Sequence, residues 1–353
     1  MAIKNRLGKL SSQFFERIIF PKLGTPRSSV INGPKMGGDT SAIRVDKSRL
    51  LVTTSDPLSY IPSIGPADSA FLSIHLLASD ITTSGFLPQY GIFDFNLPMA
   101  MADRVFARYW IAFHSECKKL GISIVGGHTG RYLGEGDTII GGGTLLSIGL
   151  RQNYLTSSMV RPNDDLILTK GAAIETTAVL TRSFPKMVRK TLGPAAFAAA
   201  WKYLRMVTTV KDSLTAVSVG RHDNGVTAMH DATEGGILSA CAELAAASKV
   251  GVTIDINSIR VSEETQAVCK LFRLDPLWSL SEGSLLIAAR PSTTETILKR
   301  LSERENISSV IGRFSNRFRG MRIVTHNNSI KRAKASRDRY WIAYSTAVRK
   351  GWS

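Results

Sequence analysis

The sequence predicts a mixed α/β (α+β) protein built as two domains. Three observations carry this. At 353 residues the chain suits two domains or one large one. Short apolar runs of strand length alternate with stretches of helical spacing along most of it. The alternation restarts around the turn-rich RPNDD segment at 161–165, which places a boundary near residue 155 and gives domains 1–155 and 156–353.

The elements follow in order. Residues 4–20 have an amphipathic helical pattern ending before Pro21. VINGPKMGGDTSAIRVD reads as strand, tight loop and strand. RLLVTTSDP is a strand expected to stop at Pro57. Residues 67–84 keep helical spacing up to Gly85, QYGIFDFNLP is a strand, and 101–120 is a long helix ended by Gly121. ISIVGGHTG reads as a short strand running into a glycine turn, and GGGTLLSIGL closes the first half as a strand. In the second half LILTK is a strand, GAAIETTAVLT opens a helix, and 186–220 reads as helical with an Ala-rich centre. GVTAMHDATEGG joins a strand to a helix over 237–248. VGVTIDI and SLLIAARP are strands, and 292–304 is a helix with a Ser/Thr cap.

Composition excludes several classes. Hydrophobic residues make up 43% of the chain, ordinary for a globular protein. Cys117, Cys241 and Cys269 are scattered without metal-ligand spacing, which argues for a reducing compartment. No apolar run reaches membrane length and the first twenty residues lack a signal-like core. A cytoplasmic location is therefore expected. The net charge is +17, and Arg313 to Lys350 holds eleven Lys or Arg against one acid, Asp338. A solvated basic surface is favoured over a nucleic-acid face, because no nucleic-acid motif accompanies the charge.

The chemistry-bearing residues sit at element ends. Asp39 in MGGDTS, Asp56 in TTSDPL, Asp80 in LASDITTSG and His128 in VGGHTG precede residue 130. Carboxylates spread over several element ends can converge on one hard cation, and Mg²⁺ is usually held by one or two carboxylates with phosphate oxygens and water. Glycines beside them let a backbone approach phosphate. In HDATEGG, Asp231 and Glu234 have capping-box spacing and Thr233 is an equally good N-cap. Gly235 and Gly236 would weaken that helix start, by roughly 1 kcal/mol each, unless something must come close to it. A bare helix N-terminus is an anion site. Glu175 and Glu282 lie in similar turns that ordinary loops could also explain. His75, His114, His222 and His326 have no partners at ligand spacing. No Walker loop, nucleophile elbow or Cys–His nucleophile motif is present.

The order of GPKMGGDTSAI, LLVTTSDP, LASDITTSGFLP, GGHTG, LTKGAAIETT, AMHDATEGGI and SEGSLL resembles the AIR synthase (PurM-like) superfamily, and within it the HypE-like, AIR-synthase-related proteins. The likeness spans roughly residues 7–345. It implies an N-terminal β-sheet domain that dimerises into a barrel-like core, a C-terminal α/β sandwich, and a cleft for ATP and Mg²⁺. It implies that Asp39, Asp56 and Asp80 serve the metal and the phosphates. Lys35, Gly37, Gly38, Thr40, Gly126, Gly127, Thr129, Gly235 and Gly236 would line the nucleotide site. Asp231, Thr233, Glu234 and His128 would face the reaction. An exposed loop lysine is an equal reading of Lys35.

The implied chemistry is ATP-dependent activation of an amide- or carbamoyl-like oxygen, or phosphorylation of a small substrate, with release of ADP. Two departures bear on it. HypE acts on a cysteine at its own C-terminus, whereas this chain ends TAVRKGWS, so a self-acting carbamoyl dehydratase is not expected. The 171–177 loop reads GAAIETT, where Ala173 and Thr176 could crowd a phosphate. The alternative is a nucleotide-binding or basic interaction protein without turnover. A homodimer is expected, a protein partner supplying the acceptor is left open, and no membrane is involved.

Overall fold

A computed structural model of the chain describes residues 8–133, 138–325, 327, 329–332 and 338–353. The N-terminal segment contains α1 (Ser12–Phe14), whose first turn Ser11 caps through its hydroxyl, and continues as irregular helix to Lys22. Residues 8–11 are not helical, so among the described residues the helical pattern begins at Ser12, and it runs past Pro21, which sits in a first turn where its missing N–H costs nothing. Next come β1 (Val30–Asn32), β2 (Ser41–Arg44), β3 (Arg49–Ser59), α2 (Pro66–Thr82), β4 (Tyr90–Pro98), α3 (Asp103–Leu120), β5 (Ser123–Tyr132) and β6 (Ile139–Leu150). Among the described residues they form a six-stranded sheet in the order β1-β2-β3-β6-β4-β5.

Two of these strands are longer than their punctuation suggests. Pro57 does not end β3. Pairing with β2 stops at Thr53, while β3 stays paired with β6 to Ser59, so Pro57 lies where one edge is unpaired and a lost donor is tolerated. β5 runs straight through Gly126 and Gly127, held in parallel register by β4. The connection β4–α3–β5 is a βαβ unit, which turns an apparent glycine turn into an edge strand.

Alternation along β4 sets the layers. Phe93, Phe95 and Leu97 are buried, whereas Tyr90 and Ile92 face solvent. On the buried side α2 and α3 cover the sheet, with Phe95 at the centre of an edge-to-face cluster with Phe106, Tyr109, Trp110 and Phe113. The other face is open: Ile92 is 43% exposed and Val125 56%, beside Tyr90, Ile148 and Leu150.

The second half comprises β7 (Asp165–Thr169), α4 (Ile174–Ser183), α5 (Pro185–Trp201), α6 (Val210–Val219), β8 (Val226–Asp231), α7 (Gly236–Ala247), β9 (Gly251–Asp255), α8 (Glu263–Phe272), β10 (Leu285–Ala289), α9 (Pro291–Ser302), β11 (Ser308–Ser315), β12 (Gly320–Val324), β13 (Ile330–Arg332) and α10 (Tyr340–Arg349). Its sheet has the order β13-β12-β9-β11-β7-β10-β8. Every residue of β7, β8 and β10 is buried, because α7 packs on one face and α6 with α9 on the other.

The predicted 186–220 helix is broken. Gly193 (φ 80°) with Pro194 interrupts α5, and a 3₁₀ turn over 202–206 precedes α6. α9 starts on Pro291 without a side-chain cap. A third cluster joins Phe71 and Leu72 of α2 to α4, α5, α8 and α10, and so locks the two halves together. The ion pairs of Asp68 with Arg182 and Arg205, at 2.7 and 2.8 Å, span the same seam.

Candidate active site

The acids converge where the two halves of the chain meet. Asp39 comes from the loop before β2, Asp56 from the middle of β3 and Asp80 from the last turn of α2. From the other half come His230 and Asp231 at the end of β8, Glu243 on α7, Glu175 in the first turn of α4 and Glu282 in the turn before β10. Thr54 Oγ1 donates to Asp80 Oδ2 at 3.0 Å. His230 bridges the halves: its Nδ1 lies 2.7 Å from Asp39 Oδ1 and its Nε2 3.2 Å from Glu243 Oε2.

Burial and crowding of like charge decide the protonation states. Burial, then the negative charges of Asp231, Asp56 and Asp39, hold the Asp80 carboxyl well above the usual range. Burial pushes Asp56 up to about 6, against the pull of Lys9. Asp231 is fully buried and pushed up to about 7 by burial and the charge of Asp39. Glu175 is pushed up to about 8 by burial, with Asp56 and Asp338 adding to it. Glu282 is held well above its ordinary value by burial and by Asp231, Glu175, Asp80 and Asp56. His230 goes the opposite way to most buried histidines. Burial lowers its pKa, but Asp39 and Glu243 outweigh that and raise it well above the ordinary value, which favours the imidazolium.

This donor set fits a hard cation. Both carboxylate oxygens of Asp231, and one each of Glu175 and Glu282, are buried without a hydrogen-bond partner, a costly state that a cation would relieve. Asp39, His230 and Asp231 offer ligand atoms within 4.8 Å of one another. With a carboxylate on each ring nitrogen, however, His230 contributes positive charge and not a lone pair.

Residues 37–148 match the AIR synthase related protein N-terminal domain, and residues 161–324 match its C-terminal domain. The chain belongs to the AIR synthase related family. It is 23% identical to carbamoyl dehydratase HypE of Cupriavidus necator over 313 residues, 82% of this chain and 83% of that one. It is 26% identical to a selenide, water dikinase of Methanocaldococcus jannaschii over 257 residues, covering 70% and 72%. The structure of hydrogenase maturation protein HypE in complex with ATP superposes with a TM-score of 0.68 at 18% identity, covering 92% of each chain.

In this AIR synthase related protein the glycines at α7 have a structural reason. Gly235 and Gly236 take φ of 93° and 66°, and a Cβ on Gly236 would lie 2.7 Å from Ser279 O and 2.8 Å from Leu277 O. What comes close to this helix end is the chain's own 277–279 turn. The free N–H of Gly235 is taken by Asp338 Oδ2 at 3.0 Å. The capping box does not form: Gly235 stands at the N-cap position of α7 with no side-chain cap, Asp231 makes no hydrogen bond through its carboxylate among the described residues, and Glu234 accepts from Lys9 N–H instead.

The other expected residues scatter. Lys35 is tied to Asn32 Oδ1 at 2.7 Å and Ser158 Oγ at 3.0 Å, with burial lowering its pKa. Gly37 (φ 67°) and Gly38 carry the loop past Glu243 and Lys35, and Thr40 is buried with its carbonyl held by Asn32. Gly126, Gly127, His128 and Thr129 lie on exposed β5. There His128 pairs with the Tyr132 hydroxyl at 2.9 Å and makes no hydrogen bond or ion pair to the acids among the described residues. Ala173 and Thr176 do not crowd the cleft. Both are fully buried, Ala173 N–H donating to Ser281 Oγ and the Thr176 hydroxyl to Leu280 O.

Of the other histidines, His75 sits between Thr208 and Glu116, His222 bonds to Gln152 O, and His326 lies outside the described residues. All three cysteines are buried, and burial pushes the thiols of Cys117 and Cys269 up to about 12. Lys9, His230, Glu243 and Asp338 were not singled out for the site. Lys9 and Asp338 come from segments remote in sequence, while His230 adjoins Asp231 and Glu243 lies on the helix that follows, both given their role by Asp39 from the other half. No helix among the described residues is long and apolar enough to cross a membrane.

Proposed function

We propose that this protein is an ATP-dependent phosphoryl-transfer enzyme of the HypE/AIR-synthase type. It would activate an amide- or carbamoyl-like oxygen of a small substrate, or phosphorylate that substrate, with release of ADP. The observation that carries this is the convergence of carboxylates from both halves with buried, unpartnered oxygens at Asp231, Glu175 and Glu282. The name of one relative, a dikinase, and the ATP complex of another support the nucleotide.

Asp39, Asp56 and Asp80 would hold Mg²⁺, with Asp231 completing the donor set. Mg²⁺ held there would supply positive charge to the phosphate oxygens, a large part of what phosphoryl transfer requires. The chain's own residues do the rest. His230 fixes Asp39 and Glu243 across the seam. Thr233 and Glu234 stand at the cleft mouth, Glu234 anchoring the N-terminal segment. Burial and the charge of Asp39 raise the Asp231 carboxyl to about 7 in the metal-free cleft, and a bound cation would hold it ionised. The buried thiols leave no cysteine to act as nucleophile among the described residues. A homodimer through the open face of the first sheet belongs to the same reading.

The test is calorimetry of ATP with and without Mg²⁺ on wild type and Asp80→Asn. Binding that needs Mg²⁺ and falls at least about tenfold in the variant is expected. Well-folded wild type that binds no nucleotide overturns the reading.

A further inference from the structure

The N-terminal segment enters the cleft it precedes. Lys9 N–H donates to Glu234 Oε1 and Oε2 at 3.2 and 3.0 Å, and Lys9 Nζ donates to Thr233 Oγ1 at 2.9 Å. Gly8 (φ 95°) is packed so closely that a Cβ would lie 2.2 Å from Glu234 Oε1. Thr233 is the hydrogen-bond partner of the ammonium, and the charges of Glu243, Asp80, Glu282 and Asp56 act on it from beyond. Burial pulls its pKa down, and these four acids outweigh that and raise it. Every residue from 8 to 27, Lys9 included, is exposed or only half-buried overall, and it is the tip of the Lys9 side chain that is desolvated. Among the described residues, the hydrogen bonds from 8–26 to the rest of the chain are those of Lys9. The segment is thus a strap held mainly by one side chain and its own amide.

Resting on the metal–phosphate reading above, we propose that Lys9 is a resident cation of this cleft. Its ammonium and a divalent ion draw on the same carboxylates, so an entering ion displaces Lys9 and loosens the strap. Two positive charges beside the same acids repel, and nothing buried holds the strap against that repulsion. The oxygens of Asp231 that lack partners mark where the incoming charge is needed.

The test uses the full chain and Mn²⁺ alone, followed by the loss of its free-ion electron paramagnetic resonance signal. Lys9→Met keeps the length of the side chain without its charge, and Lys9→Arg keeps the charge. Lys9→Met should bind Mn²⁺ about tenfold more tightly than wild type, and Lys9→Arg no more tightly. In wild type, saturating Mn²⁺ should speed amide hydrogen exchange in residues 9–20. Equal Mn²⁺ affinity of Lys9→Met and wild type, or unchanged exchange at saturation, overturns the proposal. If wild type binds Mn²⁺–ATP and Asp80→Asn does not, such a result removes the role of Lys9 alone. If no variant binds Mn²⁺ with or without ATP, both readings fall.

Discussion

Glu175 shows how a single residue couples the site to stability. Its carboxyl moves from an ordinary 4.5 up to about 8, first through burial and then through Asp56 and Asp338. The native chain therefore holds a proton that the unfolded chain releases above about pH 4.5. Its contribution to stability is lost as pH rises through that window toward 8. Glu175→Gln has no proton to lose. Between about pH 5 and about pH 8 its thermal midpoint should fall less than that of wild type in metal-free buffer. Parallel melting curves would show that Glu175 is already ionised in the native state. At the same scale, His230 was visible inside HDATEGG but had no assigned partner. Its imidazolium depends on Asp39, which arrives from 191 residues away.

At the scale of elements, α7 illustrates why a glycine pair is ambiguous in sequence. A ligand and a neighbouring backbone make the same demand, a small residue with positive φ. Here the 277–279 turn makes it. Gly236→Ala should destabilise the fold by more than about 1 kcal/mol, measured by urea unfolding, because the Cβ meets carbonyl oxygens and not a yielding side chain. A neutral Gly236→Ala would mean that the turn relaxes freely. Most elements were legible because hydrophobic period and glycine stops agree, as in α2 and α3 with its left-handed Gly121. Pro57 and the Gly126–Gly127 pair misled because strand pairing, a long-range property, overrode local punctuation. α8 carries a Ser262 cap and two acids in its first turn, signals the sequence reading passed over, whereas the strands and helix after Ser302 lack comparable punctuation.

For the whole molecule, the first sheet leaves a face carrying Tyr90, Ile92, Val125, Ile148 and Leu150 open to water. A contiguous apolar face of this kind marks association. A self-paired dimer there predicts that Ile92→Arg with Val125→Glu shifts the sedimentation coefficient of the protein to that of a monomer while leaving its circular dichroism spectrum unchanged. A wild-type monomer, or an unaltered dimer in the double variant, would put the interface elsewhere. The basic C-terminal half is less free than its composition implies. Arg313 is committed to Asp165 at 2.6 Å, and Asp338 caps Gly235 and starts α10.

The Asp68 junction carries a consequence of its own. Its carboxylate grips Arg182 and Arg205, and the acids of the cleft lie on both sides of that seam. The cleft thus works as a gauge of how the two halves are seated, much as a vernier reads the alignment of two scales. A sequence change along this seam, remote from every carboxylate named above, would register as altered ligand affinity before it registered as lost structure. Heritable variation in such a protein would therefore be filtered along this seam as well as at the chemistry.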